Sequence, residues 1–232
     1  MQRNLSRGFT LIELFVVIVI ILILASIAYP TYTTVQERAR ATQDMSNLRQ
    51  IGLATQMYLN DNDSVLFSSS ASWMSQLIPK YLPAWAVLQS PFDKRSASEK
   101  GIASPVSPVS YGLNGNTKSG ASIAGLLMDK VTNPSAFIVF APAQTNDATT
   151  VAFSGTAGQA APGVTVYKKV STPGGSYSGT ASHGTHSSRK RINALFADQH
   201  SENMVWTVFI NDIASTSDTS ANLRWDPYIP YP

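Results

Sequence analysis

The 232-residue chain carries only 13% charged side chains and no cysteine, so no disulfide can staple it in an oxidising compartment. Its net charge of +3 is local: without Arg3 and Arg7 the 17 Lys and Arg fall to 15, against 14 Asp and Glu. That balance excludes a general polyanion-binding surface. The length admits a membrane anchor and one ordinary soluble domain.

Residues 7–30, RGFTLIELFVVIVIILILASIAYP, form a basic flank followed by a nearly continuous apolar run. Phe9 to Ala28 spans about 20 residues, roughly 30 Å as a helix, which matches a bilayer core. Arg3 and Arg7 on its N-terminal side predict a cytoplasmic N-terminus, with the bulk of the chain on the opposite side. One acid, Glu13, interrupts the run near its start; an ionisable group in such a segment costs at least a few kcal/mol and marks a functional position. A cut after Gly8 gives Phe9 a new α-ammonium group four residues before Glu13, a natural partner within one helix or between staggered helices. A conventional secretory signal, cleaved near Ala25-Ser26-Ile27-Ala28, is the competing reading, and Gly8 and Glu13 argue against it.

Beyond Pro30, which predicts a kink, the pattern becomes amphipathic. Val35, Ala39, Thr42, Met45, Leu48, Ile51, Thr55 and Tyr58–Leu59 form one stripe, and Gln36, Glu37, Arg40, Asp44, Asn47 and Arg49 fill the other faces. A helix from Phe9 to Leu59 is about 75 Å long at 1.5 Å per residue, and Asn60-Asp61-Asn62-Asp63 ends it. Residues 70–81 read as a short helix with Trp73, Leu77 and Ile78 on one face. Strands are predicted at 109–113, 136–140, 150–153, 164–170, 192–197 and 203–209, between Ser/Gly/Pro-rich loops around 96–108, 154–163 and 171–190. The closing WDPYIPYP reads as a tail packed through Trp225, Tyr228 and Tyr231, with a proline-rich ligand for a partner as the alternative.

Gly8-Phe9-Thr10-Leu11-Ile12-Glu13-Leu14 resembles the processing and methylation site of type IV pilins and type II secretion pseudopilins. The resemblance implies cleavage by a prepilin peptidase between Gly8 and Phe9, N-methylation of Phe9, assembly through Glu13, and a helix-bending proline at Pro30. It covers about 50 residues. Many surface pilins carry a disulfide, so the lack of cysteine tilts the reading towards a pseudopilin. Further on, YLNDND at 58–63, SYGLN at 110–114, NPSAFIVFA at 133–141 and INALFADQH at 192–200 resemble a pilin-type subgroup with a His, nine residues and then Asp-Gly near the C-terminus. Here Gln199 replaces that glycine, and eleven residues separate His186 from Asp198.

Three constellations have competing readings. His183, His186, Asp198 and His200 suit a transition metal if a hairpin brings them together; otherwise they are turn and surface residues. Asp61 and Asp63 carry hard oxygen ligands for calcium, without the glycine and closing glutamate of a calcium loop; a helix stop is the plainer role. Arg189-Lys190-Arg191 suits DNA phosphates or, more simply, a solvated strand edge. No nucleophile elbow, phosphate loop or paired acids point to an enzyme, and no nucleic-acid partner is expected.

The resulting expectation is an α+β, pilin-like protein with a long N-terminal helix on a small antiparallel sheet. The predicted divisions are a cleaved leader at 1–8, a transmembrane and assembly helix at 9–30, an amphipathic helix at 31–60 and a periplasmic β-rich domain at 61–232. Expected partners are the prepilin peptidase, like or other pilin subunits, an inner-membrane assembly platform and the membrane. No cofactor is expected, with calcium the one candidate. The function expected is a type II secretion pseudopilus subunit, single-pass in the bacterial inner membrane; the alternative is a surface type IV pilin for adhesion, motility or DNA uptake.

Overall fold

A computed structural model describes residues 9–96, 107–115, 123–145, 147, 149–166, 182–210 and 224–225. The leader with Arg3, Arg7 and Gly8, most of the 171–190 loop, and Tyr228 and Tyr231 of the tail lie outside the described residues. The chain divides into two compact units, residues 1–39 and 40–232.

The long helix α1, Leu11–Asp61, contributes to both units. In the first unit its apolar side chains are exposed all round: Ile12, Leu22 and Ile27 are each more than 60% accessible. One helix of the described residues is long and apolar enough to cross a membrane, and it is this one. Helical geometry continues through Pro30, whose carbonyl accepts the hydroxyls of Thr33 and Thr34 at 3.0 Å.

In the second unit α1 buries Asp44, Asn47, Leu48, Ile51, Ala54, Thr55, Tyr58 and Leu59. The stripe read from the sequence is correct from Leu48 onward, but Val35, Ala39 and Thr42 are exposed. Asp44 and Asn47, assigned to outward faces, are buried, because each finds hydrogen-bond partners there that repay its lost hydration. The helix stops at Asp61 as the Asn/Asp run predicts: Asn62 Nδ2 donates to the Tyr58 carbonyl at 2.8 Å, and Asp63 and Ser64 take left-handed φ.

Helix α2, Trp73–Leu77, buries Trp73, Met74 and Leu77. The sheet then follows: β1, Tyr111–Asn114; β2, Ile138–Pro142; β3, Thr165–Val166; β4, Arg191–Phe196; and β5, Ser201–Val205. A short helix α3, Trp206–Phe209, closes it. Strand order is β3-β1-β2-β4-β5. All neighbours pair antiparallel except β1 with β3, which is parallel, so the sheet is mixed. Gly112 permits that pairing, since a Cβ there would lie 2.7 Å from the Thr165 backbone.

Two strand expectations fail for local reasons. At 150–153 no strand forms; Phe153 makes only an isolated bridge to Gln144. The Asp147 carboxylate takes the amides of Thr149 and Thr150 at 2.7 and 3.0 Å and both hydroxyls at 2.8 Å. Those donors are thereby lost to a ladder. The strand predicted over 203–209 ends at Val205, because burying both Trp206 and Phe209 requires a three-residue spacing that only a helical turn supplies.

The core joins helix and sheet through large aromatics. Trp73 meets Phe140 edge-on at 4.8 Å and donates its indole N–H to the Val164 carbonyl at 2.9 Å. Trp225 of the tail is buried, packs on Phe209 at 5.2 Å and donates to the Phe209 carbonyl.

Candidate functional site

The site begins where α1 starts. Thr10 precedes the first helical residue and its carbonyl takes the first helical amide, from Leu14. Glu13 folds back on it: its Oε2 accepts the Thr10 amide at 2.9 Å and the Thr10 hydroxyl at 2.6 Å, while the Glu13 amide reaches the Thr10 hydroxyl at 3.3 Å. This is a reciprocal capping box, Thr-x-x-Glu, which satisfies donors that every helix start leaves open. The negative carboxylate also sits at the positive end of the helix dipole. What the arrangement offers chemically is a held carboxylate, suited to recognition and charge pairing. Phe9, the residue that processing would expose, is 76% accessible beside it. The sequence expectation for Glu13 did not include Thr10, although the Thr-x-x-Glu spacing before an apolar run is itself the signal.

Residues 3–29 match the family model described as the prokaryotic N-terminal methylation motif. This N-terminal segment is what the chain shares with type IV pilins and type II secretion pseudopilins. The type II secretion system core protein G of Pseudomonas aeruginosa is 35% identical over 80 residues, 34% of this chain and 55% of that protein. The type IV major pilin protein PilA of Myxococcus xanthus is 40% identical over 58 residues, 25% of this chain and 26% of the relative. The type IV major fimbrial protein FimA of Dichelobacter nodosus is 42% identical over 60 residues, 26% of this chain and 38% of the relative. The chain thus spans between about a quarter and just over half of these curated relatives' lengths. No solved structure matches it.

Elsewhere in the chain the other candidate residues fall into separate places. The β4–β5 hairpin forms, but it puts His186 at one end of β4 and Asp198 with His200 at the other, roughly 20 Å apart at 3.3 Å per residue. Asp198 and His200 do meet, Oδ1 to Nδ1 at 2.5 Å, on an exposed turn with the imidazole stacked on Phe196 at 4.2 Å. His183 is buried beside Trp206, with Nδ1 3.0 Å from the Asp147 carbonyl; burial and then Arg189 hold its pKa down. Among the described residues no three His, Cys, Asp or Glu are grouped to hold a metal.

Asp61 is engaged by Lys80 Nζ at 2.7 Å and the Tyr81 hydroxyl at 2.9 Å, which lower its pKa. Asp63 lies just beyond, in the helix-stop turn. Arg191 lies across β5, its guanidinium donating to Asn203 Oδ1 at 2.9 Å and the Asn203 carbonyl at 3.2 Å, so the basic cluster is not wholly a solvated edge. Gln199, where the subgroup has glycine, adopts φ 74°, the left-handed conformation that glycine favours.

Proposed function

We propose that the chain is a structural subunit of a type II secretion pseudopilus, membrane-held through α1 and assembled through Glu13. The observation that carries this reading is a capped carboxylate in the first turn of a helix whose N-terminal part, up to Tyr29, exposes apolar side chains all round. Such a surface requires lipid or other apolar helices around it. The proposed sequence is retention of the precursor in the inner membrane with its N-terminus cytoplasmic, cleavage after Gly8 and methylation of Phe9. An assembly platform then extracts the subunit into a stack of like helices. There the Phe9 amine meets Glu13 of the same or a neighbouring subunit, because a carboxylate left without a partner in an apolar core costs several kcal/mol. The subunit acts by packing and recognition, without catalysis.

The relation to core protein G favours secretion over surface display. Its 80 matched residues are more than the anchor and α1 together contain, so the likeness reaches into the globular unit. The pilin and fimbrial relatives support the second reading, a surface filament.

The test is to shear cells of the native host and locate the mature protein by immunoblot. Retention in the envelope, with loss of secreted proteins on deletion, is the expected result; recovery in sheared extracellular fibres overturns the secretion reading in favour of the pilus. In the same cells Glu13→Ala is expected to be cleaved and methylated at Phe9, by mass spectrometry, yet absent from filaments. Normal incorporation of that variant would remove Glu13 from assembly.

A further inference from the structure

A directed chain of side-chain hydrogen bonds crosses the globular unit from α1 to the 182–190 loop. It begins at Asp44, fully buried, whose Oδ1 accepts the hydroxyls of Ser90 and Tyr111 at 2.5 and 2.8 Å and whose Oδ2 accepts Asn193 Nδ2 at 2.8 Å. The same Asn193 nitrogen donates to the Ala41 carbonyl at 2.9 Å. Both of these partners are acceptors, so the orientation of the Asn193 amide is forced, and its Oδ1 faces Asn203 Nδ2 at 2.7 Å. Asn203 is forced from the other side, because its Oδ1 receives the guanidinium of Arg191, which can only donate. The second hydrogen on Asn203 Nδ2 therefore points at His186 Nε2, 2.5 Å away.

That nitrogen must present a lone pair. His186 is thus the neutral tautomer with its proton on Nδ1, which lies 2.9 Å from the Thr185 hydroxyl. The ring is buried and stacked on Phe92, with centroids 5.6 Å apart and planes at 11°. Among the described residues the titratable and charged groups on the elements around it are His183, Arg189 and Lys190 in its own loop, Arg191 on β4, Glu202 on β5, Asp93, Lys94 and Arg95 beyond Phe92, and Asp44 at the far end. Asp93 is already bound by Arg95 and Ser110.

The backbone beside His186 is strained. Ser187, Ser188 and Arg189 take φ of 52°, 54° and 64° in succession, a left-handed run that non-glycine residues rarely adopt. The segment is held by Gly184 and Thr185 amides on the Arg189 and Arg191 carbonyls at 2.8 Å, and by the Trp206 amide on the Lys190 carbonyl at 2.7 Å.

We propose that His186 is an acid-sensitive latch that holds this strained loop against the β4–β5 hairpin. A proton on Nε2 would oppose the Asn203 amide hydrogen, donor against donor, with Arg191 preventing Asn203 from turning over. The latched state demands a neutral ring, whereas the released ring takes a proton at the ordinary imidazole value of about 6.5. Hence the released state binds more protons. The latch is fully closed above that pH and weakens as pH falls through it.

The test is hydrogen–deuterium exchange on the full chain in detergent micelles, at about pH 7.5 and about pH 5, corrected for intrinsic exchange. Peptides covering 182–191 are expected to lose protection relative to β1 and β2, by roughly tenfold per pH unit below the imidazole value. His186→Gln offers an amide oxygen to Asn203 and should abolish this response, while His183→Gln should leave it intact. Equal protection at both pH values, or a response surviving His186→Gln, overturns the proposal. Should that variant fail to fold, the ring state is read by NMR of ¹⁵N-histidine wild-type protein at neutral pH. A neutral ring with hydrogen on Nδ1 supports the latch, and a charged ring or hydrogen on Nε2 overturns it.

Discussion

Helix α1 carries two carboxylates that meet the same difficulty in opposite ways. Glu13 stands in an all-apolar segment and takes its hydrogen bonds from Thr10, three residues away. Asp44 is sealed in the protein core and takes its own from residues 46, 67 and 149 positions distant, Ser90, Tyr111 and Asn193. In the proposed assembly a locally satisfied carboxylate can keep its partners while the helix passes from bilayer to filament. One satisfied by the whole fold cannot leave without breaking it. The first arrangement suits a group that is handed from one environment to another, and the second fixes α1 in register with the sheet. Burial raises the pKa of Asp44 while its three donors oppose the shift, so part of its surroundings is arranged to hold the charged form.

The sharpest way to break this comparison is Asp44→Ala. It strands the hydroxyls of Ser90 and Tyr111 and one Asn193 hydrogen in a dry interior, and destabilisation of about 3–5 kcal/mol is expected. Urea unfolding of the full chain in detergent, followed by tryptophan fluorescence, measures it; a loss under about 1 kcal/mol would mean that the network adds little to stability. Leu11–Ala39 should stay helical in the same variant, since none of these partners lies there.

The difference in sequence separation also explains what could be read beforehand. The helical apolar run from Leu11, the helix stop at Asn60–Asp63 and the apolar face from Leu48 to Leu59 depend on neighbours within a few residues, and all were legible. Asp44 was placed on an outward face because its three partners are distributed over α1's surroundings, β1 and β4, and no local pattern announces them. The same limit applies to His186: its spacing to Asp198 suggested one cluster, and the strand between them holds them apart. The failed strands at 150–153 and 206–209 were local in cause, an aspartate turn and a pair of buried aromatics, and a closer count of spacing would have found the second.

A contact of intermediate reach lies between these extremes. Gln199 sits in a left-handed turn over α1, and a Cβ on Gly52 would lie 2.5 Å from its Oε1 and 3.1 Å from a Leu195 methyl. Gly52→Ala gains about 1 kcal/mol of helix propensity but makes the Gln199 amide swing aside and crowds the Leu195 methyls, so a net cost of about 0–2 kcal/mol is expected. Gln199→Gly relieves the backbone and removes one of the clashing atoms, so the double variant should recover part of that loss. Strictly additive effects in a double-mutant cycle would show that the turn and helix are not coupled through this contact.

Thr10→Ala has the smallest expected effect and tests the local half of the comparison most directly. It deletes the hydroxyl that donates to Glu13 and accepts the Glu13 amide, while the residue-10 amide remains to bind the carboxylate. A cap of this kind contributes about 1 kcal/mol, so amide exchange in the first turn should rise about fivefold in detergent. Thr10→Ser retains the hydroxyl and should restore protection. If the cap only keeps Glu13 solvated by protein groups until a partner amine arrives, Thr10→Ala should still enter filaments, at reduced yield. If it blocks assembly as completely as Glu13→Ala is expected to, then Thr10 is itself part of what the next subunit recognises, and the local carboxylate would prove as dependent on distant contacts as Asp44.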